Sequence, residues 1–359
     1  ALTTNTTGNY NTAVGKQALR DNTTGIHNVA VGQASLMENE TGDYNTALGR
    51  NSLRNNTASN NTAVGYQSLN DNTTASNNTA VGYEALKLNT SGDHNVAVGV
   101  NSLDANTTGT SHVAIGSDAL GVNTTGDSNT AVGRQCLDAN TTGSNNTAVG
   151  SASLSACTTA SYNTAVGRTA LLTTTTGVRN TGIGTDALSS NTTGQDNQGI
   201  GKGALGSCTT GSGNTEINSS DAGRIFTVTT QNNRFIAGGN NVTNAYVKVA
   251  WTVTSDARDK TNIGTVPHSL DFVNQLNPVS FQFKTSREND TPSGNVRYGF
   301  LAQDILELEG DNNVIIDNEQ PEKLQYQGES LVPVLVNAIK ELSAKVDELQ
   351  NEVNTLKGA

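Results

Sequence analysis

The segment SDARDKTNI, from Ser255 to Ile263, sets a hydroxyl and an amine five residues apart, on Ser255 and Lys260. A serine becomes a nucleophile when a nearby base takes its proton, and a lysine can be that base only while its amine is neutral. Taken alone, the spacing decides nothing, because Ser and Lys fall five apart in many chains by chance. Other chemistry-bearing side chains are sparse. Cys136, Cys157 and Cys208 are too few and too irregularly spaced for a disulfide framework or a zinc site, and read as small buried residues. His27, His94 and His112 fall in or beside variable turn slots and do not recur in adjacent stretches, as a metal column would require. Asp43, Asp93 and Asp127 share such slots and read as solvated loop positions, with no carboxylate pair arranged for glycoside hydrolysis.

Whatever positions Ser255 and Lys260 follows a long and regular stretch. Only 34% of the 359 residues are hydrophobic and 4% aromatic, while 37 are glycine, a composition that fits either a disordered polar chain or an ordered repeat. Periodicity decides for the repeat. NTAVG recurs with its glycine at Gly15, Gly32, Gly49, Gly65, Gly82 and onward to Gly201, every step 17 residues except one of 16 between Gly49 and Gly65. A degenerate copy, NTEIN, ends at Asn218. Such regularity marks a solenoid.

The columns of the consensus N-T-A-V-G-x-x-(A/S)-L-x-x-N-T-T-G-x-x have distinct meanings. The Val, Leu or Ile before each glycine and the Leu four after it read as the two core positions. Between them lies a slot for small residues, filled once by Cys136. The glycine needs an unusual φ or a close backbone approach, and N-T-T-G is turn chemistry. One unit therefore reads as two short strands joined by two bends. Stacked coils would align Asn and Thr into ladders at about 4.8 Å per coil. Cys157 and Cys208, three coils apart in one column, then lie about 14 Å apart, beyond disulfide reach within one chain. Two apolar residues per coil make a thin core, which argues that several chains share it.

The repeat resembles the stacked-coil heads of trimeric autotransporter adhesins, with their N-x-x-(V/A)-(I/V)-G core, and the repeat shafts of phage and viral fibres. The likeness covers residues 8 to 218. Beyond it, RIFTVTTQNNRFIAGG and YVKVAWTV read as a few β-strands, with Trp251 as a buried strand aromatic.

Four elements then follow in order: SDARDKTNI, LNPVSFQFK (Leu276 to Lys284), YGFLAQDI (Tyr298 to Ile305) and YQGESLVPVLVNAIKEL (Tyr326 to Leu342). This set is similar to the intramolecular chaperone peptidase at the ends of endosialidase tailspikes and many other phage fibres. The resemblance implies that Ser255 is the nucleophile and Lys260 the base of a single-turnover self-cleavage at Thr254–Ser255, with burial in the assembled module lowering the lysine pKa. Asp256, Arg258 and Asn262 belong to the same motif. Asp256 and Arg258 are expected as structural partners. Asp259 stands where the family usually has leucine. The final helix carries Val332, Leu335, Ile339, Leu342, Val346, Leu349, Val353 and Leu356, with alternating steps of three and four: a heptad seam. The resemblance implies a trimer.

The expected fold class is mainly β: a trimeric solenoid shaft of 17-residue repeats (1–220), a short β junction (221–254), an α+β chaperone and auto-peptidase module (255–330) and a coiled-coil helix (331–359). The expected function is a structural virion fibre for host attachment whose end drives trimerisation and folding and then cuts itself off. The alternatives are a bacterial surface adhesin and a fibre that keeps a non-cleaving cap. Partners are two further copies of the chain, a host cell-surface receptor, and other fibre or baseplate proteins. No cofactor or metal is expected. A net charge of −11 without clustered Lys and Arg argues against nucleic acid, and no apolar run argues for membrane insertion.

Overall fold

The computed structural model describes residues 1–217, 226–238, 255–286, 289–311 and 313–358. YVKVAWTV with Trp251, and Thr254, lie outside the described residues. The chain forms two units, Ala1–Gly239 and Asn240–Ala359.

The first unit is the expected parallel solenoid. Thirteen three-residue strands, β1 (Thr12–Val14) through β13 (Thr215–Ile217), stack one per coil, and β14 (Phe235–Ala237) extends the same sheet. Neighbours pair in register, Thr79 opposite Val96 and Ala80 opposite Ala97. The 16-residue step leaves this register intact, because Thr46 still faces Thr62; the missing residue comes out of the turn.

Each coil holds one strand rather than the two expected. The reason is backbone handedness. In the coil opened by Gly99 (φ 139°), Asn101, Leu103 and Ser111 all sit near φ 52–62°. These left-handed residues turn the chain repeatedly and leave no second extended run. Placing a leucine there costs roughly 1–2 kcal/mol, yet burying its side chain contributes about 1.5–3 kcal/mol. Burial wins, and Leu19 through Leu205 are fully enclosed in every coil.

The second core position differs from the one read in the sequence. Ala30, Ala47, Ala80 and their equivalents point inward and are fully buried, whereas the following Val, Leu or Ile is partly or largely exposed, as Val14 and Ile115 illustrate. Strand alternation dictates this: in T-A-V only the middle residue faces the interior, and that position holds Ala or Gly from β1 to β12, with Glu216 buried there in β13. The unit therefore carries an outward-facing column of Val, Ile and Leu residues along its length.

The remaining interior is polar. Asn89 Nδ2 donates to Asn72 Oδ1 at 2.9 Å and to the Gly92 carbonyl at 2.9 Å, and Asn106 and Asn123 repeat the pattern. In a second buried column, the Asn95 N–H donates to Asn78 Oδ1 at 2.8 Å and the Asn95 amide reaches the Gly109 carbonyl at 3.0 Å. Thr ladders run outside, Thr73 Oγ1 donating to the Thr90 carbonyl at 2.9 Å. A buried amide is costly unless both its ends are bonded, and stacking identical residues meets that need in most coils, with Asn78 Nδ2 and Asn191 Oδ1 left unpaired.

Two readings of isolated residues change. Asp43 and Asp127 are not merely solvated: their carboxylates accept the Ile26 and Thr110 N–H groups of the preceding coil at 2.8 and 2.7 Å. His112 is fully buried in the second asparagine column rather than in a turn slot. Its Nδ1 accepts the Asn129 N–H at 3.2 Å, as an asparagine Oδ1 would. Cys136, Cys157 and Cys208 are buried and free.

Burial pushes the His112 imidazole below its ordinary value, while the Gly126 and Asn129 backbone and the Asp127 charge oppose that shift. The unfolded chain therefore takes up this proton more readily, so stability falls as pH drops below the ordinary 6.5 and is whole above it. His112→Asn restores the ladder. Its melting temperature is expected to change less between pH 7.5 and 5 than that of the parent, by thermal unfolding at both pH values.

The second unit contains α1 (Leu270–Gln275), the antiparallel pair β15 (Val279–Ser286) and β16 (Asn289–Gly299), α2 (Ala302–Glu309), the small pair β17 (Ile316–Asp317) and β18 (Gln325–Tyr326), and the 31-residue α3 (Gly328–Gly358). This is the α+β module and terminal helix expected. Phe272, Ile305, Ile315, Ile316, Leu331 and Val334 form its core. The Glu309 carboxylate, closing α2, accepts the N–H groups of Val314, Ile315 and Ile316 at 2.7–2.9 Å and so fixes the bend into β17. Among the described residues no helix is long and apolar enough to cross a membrane.

Candidate active site

A single short turn assembles the SDARDKTNI residues. Asp256 caps a 3-10 turn over Ala257–Asp259 by accepting the Arg258 N–H at 2.9 Å. The Lys260 N–H closes the turn on the Ala257 carbonyl at 3.2 Å. Reversing the chain within five residues brings Lys260 Nζ to 2.7 Å from Ser255 Oγ, as donor in this arrangement. That is proton-transfer distance, the geometry a nucleophile and its base require.

Asp256 and Arg258 serve the turn and each other. The guanidinium lies 2.5 Å from the carboxylate, which it holds below the ordinary aspartate value, and the carboxylate raises the guanidinium in return. Asn262 follows in the left-handed region at φ 53°, bending the chain away from the turn. Asp259 is exposed on the turn. Ser255, Lys260, Asp256 and Arg258 are thus brought together, and Asn262 lies just beyond them.

The burial of Lys260 is expected in the assembled module rather than in one chain. Both Ser255 and Lys260 are exposed, because the turn has only three residues and the segment after it runs exposed to Val266. Desolvation, the effect that neutralises a lysine, does not come from the described residues of one chain.

Sequence reasoning missed a second cluster, which anchors this segment from below. Glu341 of α3 accepts Ser269 Oγ–H at 2.7 Å and the Leu270 N–H at 3.2 Å, and Lys345 lies 2.9 Å away. These donors, Ser269 foremost, bring the Glu341 carboxyl down to about 2. One turn earlier, Asn337 Nδ2 donates to the Val266 carbonyl at 3.3 Å. Ser269 is a residue type that caps helices, yet α1 is capped from α3 instead, a contact across 72 residues that no local pattern reveals.

α3 has two faces. Leu331, Val334 and Ala338 pack into the module core, while the heptad seam, Ile339, Leu342, Val346 and Leu349 among it, is exposed.

Residues 255–314 match the S74 peptidase family, described as the chaperone of endosialidase. The match opens on Ser255 itself. No curated protein and no solved structure matches the chain. The chain is therefore a β-solenoid shaft joined to a C-terminal domain of the chaperone-of-endosialidase family, beginning at Ser255.

Proposed function

We propose that the chain is a structural fibre of a virion, a homotrimer used in host attachment, whose C-terminal domain aligns three chains for folding and then cuts itself away between Thr254 and Ser255. The observation that carries this reading is Lys260 Nζ at 2.7 Å from Ser255 Oγ, on the first residues of a chaperone domain that follows a repeat shaft.

In the proposed reaction, the Ser255 hydroxyl proton passes to a neutral Lys260 amine as Oγ bonds to the Thr254 carbonyl carbon. The Thr254–Ser255 C–N bond breaks, and Lys260 returns the proton to the departing nitrogen, which becomes the Ser255 α-amine. Water then hydrolyses the Thr254 ester, freeing the Thr254 carboxyl and the Ser255 hydroxyl. Each chain reacts once and only on itself. Lys260 loses its charge when neighbouring chains cover the turn, so cleavage waits for assembly.

Two exposed apolar surfaces support the trimer: the Val, Ile and Leu column of the shaft and the seam of α3. Identical coils can pair in the wrong register, and a helical bundle that forms first removes that freedom. Loss of the bundle after folding leaves the shaft kinetically trapped. The expected partners are a receptor on the host cell surface and, on the virion, other fibre or baseplate proteins.

Light scattering on full-length Ser255→Ala tests the assembly. The expected molar mass is three times that of the chain, and Ile339→Asp combined with Leu342→Asp should reduce it to one. A monomeric Ser255→Ala protein would overturn the trimeric reading.

A further inference from the structure

The Glu341–Ser269 contact lies outside the dyad but at the far end of the segment that carries it. Between Lys260 and Val266 the chain is exposed and has no regular structure. Behind it come the two ties to α3, Asn337 to the Val266 carbonyl and Glu341 to Ser269 and Leu270. Asn337 and Glu341 are four apart and share one face of the helix. The exposed seam residues Ile339 and Leu342 are interleaved with them on another face. Whatever fixes the position and rotation of α3 through its seam therefore also fixes where Val266, Ser269 and Leu270 stand. Lys260 is only six residues upstream of Val266.

We propose that Glu341 is a positioning residue: its carboxylate latches the start of α1 to α3, so that ordering of the terminal helix is transmitted to the Ser255–Lys260 turn. The consequence for cleavage rests on the self-cleavage reading above; the ordering does not. Three donors converge on this one carboxylate, from Ser269, Leu270 and Lys345, and a charged acceptor makes such bonds roughly twice as strong as a neutral one. His268 stacks on the core residue Phe272 with ring centroids 4.2 Å apart, which ties the same stretch to the packed module. Loss of the latch therefore loosens 256–270 without dismantling the core.

Amide hydrogen exchange on the full chain in the Ser255→Ala background separates ordering from cleavage. Adding Glu341→Ala is expected to speed exchange across 256–270 at least tenfold, with protection at Ile315 and Ile316 and in the shaft unchanged. Glu341→Gln, which keeps an oxygen acceptor, should restore most of that protection. In the cleaving parent, Glu341→Ala and Ser269→Ala should each slow the appearance of the 255–359 fragment about tenfold, and the double variant should be no slower than the slower single. Unchanged exchange at 256–270 in Glu341→Ala would overturn the latch. A change there beside a parent that never cleaves would leave the latch standing and sink the self-cleavage reading instead. If Glu341→Ala loses protection throughout the module, Glu341→Gln decides: protection largely restored at 256–270 upholds the latch, and loss there as complete as in Glu341→Ala overturns it.

Discussion

Gly99→Ala is expected to break the shaft at that coil. Gly99 has φ 139°, and an added Cβ would stand 2.5 Å from the Gly116 oxygen and 2.6 Å from its carbon. Those atoms are backbone of the next coil, held by the Gly116 N–H to Val98 carbonyl bond at 2.8 Å, so they cannot yield as a flexible side chain would. Strained backbone and clash together should cost about 3–5 kcal/mol per chain, at the upper end for a single substitution. Stacked coils touch only their neighbours, so the loss should appear as fast amide exchange around residues 98–117 rather than evenly along the shaft. Gly121→Ala is the control: its Cβ would meet nothing closer than 3.5 Å, and its melting temperature should match the parent's. Equal melting of Gly99→Ala and the parent would show that the coils are not stacked in this register.

Lys260→Met should abolish cleavage while leaving the fibre assembled. The methionine keeps the length of the side chain and removes the only group that contacts Ser255 Oγ among the described side chains. Removing a general base costs on the order of a hundredfold to ten-thousandfold in rate. Because Lys260 is exposed and makes no core contact, thermal unfolding of the module should be unchanged. Rapid cleavage in Lys260→Met, followed by intact mass over time, would remove the lysine from the mechanism.

Much of this architecture was legible in the residues. A 17-residue period with one invariant glycine leaves little but a stacked coil, and the buried leucine and the small slot beside it were read correctly. The inward strand position was not. Hydrophobicity ranks valine above alanine, but the two-residue alternation of T-A-V turns only its middle member inward. Leucine in the left-handed region could not be foreseen either, since its own preference opposes that conformation and only burial outweighs it. His112 was misplaced because a lone histidine gives no sign that it stands in for asparagine.

At the site, order and spacing sufficed to group Ser255, Lys260, Asp256 and Arg258, all within one turn. Lys260 is exposed in the single chain, and its burial is expected only where neighbouring chains cover the turn. Glu341 was hidden for a different reason. Its partner Ser269 is 72 residues distant, and a heptad reading of α3 attends to the apolar seam alone.

In the proposed function the chain cuts itself at Thr254–Ser255 using Ser255. Intact-mass measurement of the purified parent beside Ser255→Ala tests it most directly. Two pieces are expected from the parent, one ending at Thr254 and one beginning at Ser255, and a single uncut mass from the variant. A parent that stays whole after assembly, or a Ser255→Ala chain cut at the same bond, would contradict it.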